Sequence, residues 1–431
     1  MRRISCIVLT AAMAAAGIPA RAWAQTDAWG APWGTPPPAQ ADLSECYAWA
    51  QEQSESLRMQ AEQIYQFEQQ LKQALATALP NLSFNASDKW LANGGGGIYA
   101  SPQPQINLAL SQPLFSGLRE YAAMAASKHQ GQAAELQLRH ARALLFQDVS
   151  NAFYLITSLD AQLANDQMAV ELFANRIKEL NRFEDLGRSR HSEVVLAESQ
   201  EAALEAQAEA LKGQIAVARE LLSFLTGKDL SLTRLTDKLE RLHALDPEES
   251  LLARAYDRTD VESLHKQMLA QEDQVRLAKG AWAPTVSFLG DYYLKRMAGL
   301  DSIRWDAGIT AGLPLFAGGG QLAAVRQAES QVSQARYNFE LGLRQARTQI
   351  HSRYMTLRAA VSSADAAEKA YLKADESYRL ETKEYRLGLV TNLDVLQALN
   401  SLVSAKTIFD TDVVQTKLDL LQLKAATEEL Q

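Results

Sequence analysis

The sequence predicts an α+β membrane protein: four strands of membrane-crossing length and two very long helices, set out as one unit written twice. Three observations carry this. Motifs recur at a fixed offset of 201 residues, the segments before each recurring motif alternate apolar and polar residues, and a long proline-free stretch follows each of them.

The repeat is the most informative. Pro113-Leu114-Phe115-Ser116-Gly117 matches Pro314-Leu315-Phe316-Ala317-Gly318, and the same offset pairs Ala122-Ala123 with Ala323-Ala324, Phe153 with Tyr354, Leu186-Gly187 with Leu387-Gly388, and Glu193-Val194 with Asp394-Val395. Upstream, Leu79-Pro80-Asn81-Leu82-Ser83-Phe84 resembles Ala283-Pro284-Thr285-Val286-Ser287-Phe288 with a small drift. A period this long marks a duplicated domain-sized unit, not a short solenoid repeat. The chain divides into a first unit at 42–226, a linker at 227–250 and a second unit at 251–431. Each unit reads as a helix ending at a proline, two strands, a very long helix, a glycine turn and a medium helix. In the first unit, Asp42 or Ser44 can cap a helix running to about Ala78, stopped by Pro80.

Period-two alternation identifies the strands. Trp305, Ala307, Ile309, Ala311, Leu313 and Leu315 fall on one face, opposite Asp306, Gly308, Thr310 and Gly312. Val286, Phe288, Tyr292 and Leu294 alternate with Ser287, Asp291 and Tyr293, blurred at Leu289 and Gly290; Ile106, Leu108 and Leu110 alternate with Asn107, Ala109 and Ser111. The lengths suit tilted membrane crossings. Trp90, Tyr99, Tyr292 and Trp305 stand near strand ends, where interfacial aromatics belong. A soluble hairpin with one buried face would show the same alternation, and the strands alone do not choose between the two.

The helices do. Residues 117–185 and 318–386 lack proline and are rich in Ala, Gln, Glu, Leu and Arg, all good helix formers. At 1.5 Å per residue each reaches roughly 100 Å, beyond any compact globular domain. Their sparse, mostly alanine apolar positions suit a narrow coiled-coil seam.

The N-terminus has the layout of a secretory signal peptide at 1–24: Arg2 and Arg3, an apolar stretch from Ile4 to Ile18, and Ala22-Trp23-Ala24 before Gln25. Residues 25–41, rich in Pro, Gly and Trp, read as an extended linker. Losing three arginines takes the formal charge from −8 to −11. With Lys and Arg dispersed and no basic stripe, nucleic acid is not an expected partner. Cys6 leaves with the signal peptide, so Cys46 has no partner for an internal disulfide and reads as a buried structural thiol. Beyond the signal peptide no apolar run is long enough for a transmembrane helix, which does not exclude a membrane, since a transmembrane β-strand needs only about 10 alternating residues.

Four strands cannot close a barrel, and an open sheet in lipid leaves two unpaired edges. The chain must therefore oligomerise. Two copies give eight strands and an interior filled by side chains; three give twelve and a lumen. The long helices would continue the barrel as a tube, and the whole predicts a channel.

This combination resembles the outer-membrane efflux protein family, the TolC-like ducts. The carriers are the joints Pro113-Leu114-Phe115-x-Gly117 and Pro314-Leu315-Phe316-x-Gly318, and the turn Tyr385-Arg386-Leu387-Gly388 followed by Leu393-Asp394-Val395-Leu396 and Ala398, with its weaker copy at Leu186-Gly187 and Glu193-Val194. The likeness covers about residues 42–425. It implies a homotrimer in outer-membrane lipid with a twelve-stranded barrel, a periplasmic α-helical barrel, and docking to an inner-membrane pump through a periplasmic adaptor. The function it implies is the exit duct of a tripartite efflux or type I secretion system. Gly187 and Gly388 would form the turns at the periplasmic tip. Tyr385 and Glu193 match positions that hold the tip closed in similar ducts, and Asp394 matches an acidic ring at the aperture. Gln397 stands where some relatives carry a second acid, and Val390 where some carry a locking arginine, a role for which Arg188 and Arg190 are the local candidates. Independently of the resemblance, Asp394 lies in the first turn of a helix behind Asn392, a good N-cap, where the helix dipole favours a carboxylate.

No catalytic constellation is found. Six histidines (129, 140, 191, 243, 265 and 351) are scattered without metal-ligand spacing. No G-x-S-x-G elbow occurs. Gly94 to Gly97 lacks the Lys-Ser/Thr of a phosphate loop and reads as a loop between strands, and Gly227 reads as a helix C-cap. No cofactor is expected. The alternatives to a duct are a structural trimeric coiled-coil surface protein, which would not need duplicated strand pairs, and a periplasmic adaptor, which would carry one helical hairpin instead of two.

Overall fold

The structure, a computed structural model, describes residues 39–92, 100–242, 245, 247–296 and 302–429. The expected signal peptide, the tryptophans and prolines of the linker that follows it, Gly94 to Gly97, Tyr99 and His243 lie outside the described residues, as does the side chain of Trp90.

The chain enters through a two-residue strand β1 (Gln40–Ala41) and helix α1 (Leu43–Gln53). Asp42 caps α1 in a reciprocal box with Glu45. Its carboxyl is held down at about 2 by Lys238, with help from the Ser44 hydroxyl and the Glu45 backbone N–H. The single helix expected from Asp42 to about Ala78 is two helices. Ser54 interrupts it with extended backbone, and its hydroxyl accepts from the Leu57 N–H to start α2 (Glu55–Ala76). The cause is the competition a serine side chain offers to helical bonding, which favours a cap over a helix interior.

Strands β2 (Asn81–Ala92) and β3 (Ala100–Phe115) lead into α3 (Arg119–Asp185), a turn, and α4 (His191–Thr226). Gly227 ends α4 with φ +65°, as its C-cap role requires. Next come β4 (Arg234–Leu235), α5 (Glu248–Ala253) and α6 (Thr259–Gly280). Strands β5 (Thr285–Lys295) and β6 (Trp305–Gly312) then lead into α7 (Gly320–Leu387), a turn, and α8 (Asn392–Ala426). β1 and β4 pair in parallel, so the stretches 25–41 and 227–250, expected to be linkers, each contribute a strand. β6 stops at Gly312, before Leu313 and Leu315, because no residue of β5 lies beyond Thr285 to pair with them.

The main sheet has the antiparallel order β2-β3-β5-β6. Residues opposite one another in such a sheet share a face. Phe84, Leu108, Tyr292 and Trp305 form one row across all four strands, and Leu82, Leu110, Gly290 and Ala307 form the next. Ser83, Ala109, Asp291 and Asp306 make a row on the opposite face, where Asn107 donates to Asp291. The sheet therefore has an apolar and a polar face, with Leu289 as an exception. Leu82, Phe84, Tyr292, Trp305 and Ile309 are exposed. Among the described residues nothing covers them, and β2 and β6 have no further strand paired to them. Among the described residues no helix is long and apolar enough to cross a membrane.

The helices form a layer. Near the sheet its order is α2-α3-α6-α7, and at the opposite end α4-α3-α8-α7. Each strand joins the helix of the same rank: α2 to β2, β3 to α3, α6 to β5, and β6 to α7. Helices α3 and α7 each extend about 100 Å. The central helix α3 buries nineteen residues and the edge helix α7 only eight of a similar length, so α7 retains an uncovered face. The apolar core comes in three patches along the layer. One surrounds Phe153, Tyr154 and Ile156 beside the β1–β4 pair, one surrounds Ile350 and Leu357, and one surrounds Phe173, Leu180, Leu396 and Leu399 near the turns. Cys46 lies in the first, fully buried, and burial pushes its thiol up to about 12.

Candidate functional site

The two turns after α3 and α7 lie at the end of the layer remote from the sheet. Each closes in the same way. Gly187 and Gly388 have φ of +70° and +76°, a region open to glycine at little cost. Gly187 N–H donates to the Glu184 carbonyl and Arg188 N–H to Phe183; Gly388 N–H donates to Tyr385 and Leu389 N–H to Glu384. This paired pattern is a Schellman motif, which satisfies the last carbonyls of a helix.

The helices that leave the turns begin differently. α8 is capped by Thr391, whose hydroxyl accepts from the Asp394 N–H while its own N–H and O–H donate to Asp394 Oδ2 at 2.8 and 2.7 Å. The expected cap, Asn392, is instead the first helical residue, with its side chain buried. The box with Thr391 wins because Asp394 stands three residues on, the spacing for reciprocal bonding. Those hydrogen bonds hold the Asp394 carboxyl below its ordinary range. The N-cap of α4 is Arg190, which supplies no side-chain cap; Ser189 Oγ donates to Glu193 Oε2 at 3.1 Å.

A cavity of about 250 Å³ opens between the turns, lined by Phe183, Arg188, Glu193, Tyr385, Val390 and Thr391 among others. It brings Glu193 and Tyr385, 192 positions apart in sequence, to a common space with both turns. Tyr385 leans on Phe183, ring centroids 5.9 Å apart, and partial burial raises its phenol above the usual range. Asp394 and Gln397 lie one turn apart on α8 and do not line this cavity; Gln397 is exposed. Arg188 lies over the Phe183 ring at 5.9 Å and Arg190 is exposed.

Arg176 was not legible as part of this site. Its side chain, on α3, is 3% exposed. Nε and Nη2 donate to Asn392 Oδ1 at 3.0 and 2.8 Å, and Nη1 to Glu179 Oε2 at 2.8 Å. The guanidinium lies 3.9 Å from the centre of the Tyr385 ring. Glu179 Oε1 accepts from Arg386 Nε at 2.8 Å. Nothing in the spacing of Arg176, Glu179, Arg386 and Asn392 along the chain signals that they converge. Heptad-like seams predict which helix face is buried, and a buried arginine is found only once its partners on other helices are placed.

Elsewhere, folding brings one of the scattered histidines against two carboxylates. His140, Asp260 and Glu428 come together. Their acceptors are already engaged: Asp260 takes two bonds from Arg258, and Glu428 takes the Thr259 N–H and O–H and faces His140 Nδ1 at 3.1 Å. The cluster ties the end of α8 to the start of α6 and to α3.

The comparisons with known proteins agree with this architecture. The family model for "Outer membrane efflux protein" matches residues 47–228 and 254–427. The outer membrane efflux protein BepC of Brucella suis biovar 1 (strain 1330) is 25% identical over 313 residues, covering 70% of this chain and 67% of BepC. Nodulation protein T of Rhizobium leguminosarum bv. viciae is 23% identical over 174 residues, covering 39% of this chain and 36% of that protein. Among solved structures, the outer membrane protein VceC of Vibrio cholerae superposes with a TM-score of 0.77 at 21% identity, over 89% of this chain and 95% of VceC. CusC superposes with a TM-score of 0.79 at 18% identity, over 92% and 94%. The fold is that of these channels, and the family match spans both halves of the chain. The chain belongs to the outer membrane efflux protein family and resides in the outer membrane, with a large helical part in the periplasm.

Proposed function

We propose that three copies close their sheets into one twelve-stranded barrel and their helix layers into one periplasmic tube. The assembly is then the passive exit duct of a tripartite efflux or type I secretion system for small molecules or polypeptides. The observation that carries this reading is that sheet and helix layer are open at matching edges. β2 continues from α2 and β6 into α7, so a neighbour that pairs β6 with β2 also sets α7 against α2 and α4. Exposed Tyr337, Leu341 and Leu372 on α7, and Val217, Leu221 and Phe224 on α4, would then be covered. The apolar sheet face would meet lipid and the polar face the lumen. Unpaired strand edges in lipid are too costly to persist, and eight strands leave no lumen whereas twelve do. The two units, 42–226 and 251–431, would alternate around the tube, joined by 227–250. A periplasmic adaptor and an inner-membrane pump would complete the pathway.

Single-channel recording of the detergent-extracted protein in planar bilayers, with its mass measured alongside, tests this. A trimer with a small, cation-preferring conductance is expected; a monomer without conductance overturns the proposal.

The aperture is assigned to the turns of Gly187 and Gly388, with Tyr385 and Glu193 holding them and Asp394 and Gln397 facing the axis. The Thr391 hydrogen bonds favour the charged form of Asp394, and three such carboxylates near one axis would attract cations. Asp394→Ala is expected to lower cation preference, read as a smaller reversal potential across a KCl gradient. An unchanged reversal potential rules out the acidic ring.

A further inference from the structure

His140, Asp260 and Glu428 each offer a ligand atom, and these atoms lie within 4.8 Å of one another. They come from α3, from the first turn of α6 and from just past the end of α8. All three side chains are partly exposed, so ions and water reach them.

The internal repeat shows that the fold itself does not require these residue types. At the 201-residue offset His140 matches Leu341, and Thr427-Glu428 matches Thr226-Gly227. The second match holds in three dimensions. Thr226 and Thr427 are both buried, and each hydroxyl donates to the carbonyl four residues back, at 2.8 and 3.2 Å. Gly227 and Glu428 then both take left-handed backbone, with φ of +65° and +56°. Glycine does so freely, whereas the Cβ of a glutamate is strained there. Glu428 caps α6 by accepting the Thr259 N–H and O–H. That task asks nothing of His140, whose place a leucine fills in the other unit.

Space and lone pairs are available as well. A cavity of about 340 Å³ opens beside the cluster, lined by Gln60, Gln137, His140 and Asp260 among others. Among the described residues, Gln60 Oε1 is buried with no hydrogen-bond partner. Asp260 Oδ2 and Glu428 Oε2 each accept one hydrogen bond, and a carboxylate oxygen has room for two. Arg258 and Thr259 fix the two carboxylates, as the outer partners of metal ligands do. His140 Nδ1 stands 3.1 Å from Glu428 Oε1, a gap that two bonds of about 2.0–2.2 Å to one Zn²⁺ span. Asp260 has to close by up to about 1 Å to join them.

We propose that His140, Asp260 and Glu428 bind a divalent transition-metal ion of the zinc type, with water in the adjoining cavity completing its shell. An imidazole with two carboxylates and no thiolate suits Zn²⁺, whereas Mg²⁺ and Ca²⁺ take oxygen ligands and Cu(I) takes sulfur. The ion ties the first unit, through His140, to the second, through Asp260 and Glu428. The site goes beyond the duct reading and does not depend on it.

The test is isothermal titration of ZnCl₂ into the full-length, tag-free protein in detergent after washing with chelator, with MgCl₂ as control and melting followed alongside. The variants are His140→Leu and Glu428→Gly, each introducing the residue that the fold accepts at the matching position. Wild type is expected to bind one Zn²⁺ per chain, undisplaced by Mg²⁺, and to melt higher with it. Each variant should weaken that binding at least about tenfold and lose the Zn²⁺-dependent rise in melting. A wild type without stoichiometric Zn²⁺ binding overturns the site. So does an affinity unaltered in the variants, which would place the ion at another pair such as His351 and Glu248. If one variant does not assemble, the other decides, and the wild-type titration stands in either case.

Discussion

Gly117→Ala is expected to lower the thermal stability of the assembled protein far more than Gly318→Ala, although the two glycines occupy matching places in the repeated motif. Both have positive φ, +74° and +59°. A Cβ in that region costs about 1–2 kcal/mol at either position. Only Gly117 is also pressed against another backbone. A Cβ there would stand 2.3 Å from the Gly280 carbonyl oxygen and 2.7 Å from Ala283 Cβ, whereas nothing lies within 4 Å of the position at Gly318. The end of α6 and the start of α3 cannot separate without disturbing β3 and β5, which continue from them, so the clash adds about 1–3 kcal/mol. Gly280→Ala meets the Gly117 oxygen at 2.7 Å from helical backbone, so it should carry the clash without the backbone strain and fall between the other two variants. Melting of the purified protein, followed by loss of the oligomer on gels, checks the order. Equal losses for Gly117→Ala and Gly318→Ala would show that backbone strain alone governs the joint.

Arg258→Ala is expected to cost about 3 kcal/mol near neutral pH, the low end for a broken buried pair because Asp260 remains partly exposed. Arg258, 4% exposed, donates twice to Asp260, once to Gln349 Oε1 and once to the Ala426 carbonyl. Its loss leaves the Gln349 and Ala426 oxygens without that donor and Asp260 with only the Val261 N–H, and it loosens the end of α8, which Glu428 still ties to Thr259. Burial alone would push the Asp260 carboxyl up, but the hydrogen bonds and charge of Arg258 bring it below its ordinary value. A carboxylate lowered in the folded state stabilises the fold above its unfolded pKa, roughly 4, and that contribution is lost as the pH falls through the folded value. The deficit of Arg258→Ala should therefore be greatest at neutral pH and shrink on acidification below about pH 4. Denaturation midpoints of wild type and variant at several pH values measure it. A deficit that stays constant with pH would mean that lost packing, not the ion pair, is responsible.

How much of this was legible in the residues varies with the physical range of each feature. The stretches 117–185 and 318–386 correspond to α3 (Arg119–Asp185) and α7 (Gly320–Leu387), because helix propensity summed over so many residues leaves no competing choice. The turn glycines were legible because positive φ is a local demand that Gly187 and Gly388 meet alone. Ser54 was missed because a cap and a helical serine differ by a single local bond, and Thr391 took the cap from Asn392 for the same reason. The strands of 40–41 and 234–235 are two residues long and show no periodicity to read.

The sequence by itself determined the family, the order of the long elements and the division of three of the four membrane strands into an apolar and a polar side, because propensity, turn chemistry and period-two patterning are all local along the chain. Only the tertiary structure decided which of two matching glycines is jammed against a backbone, and that Arg176, Glu179, Arg386 and Asn392 meet beneath the turns. These depend on contacts between residues more than a hundred positions apart, and their energies arise from burial and geometry that no local spacing encodes.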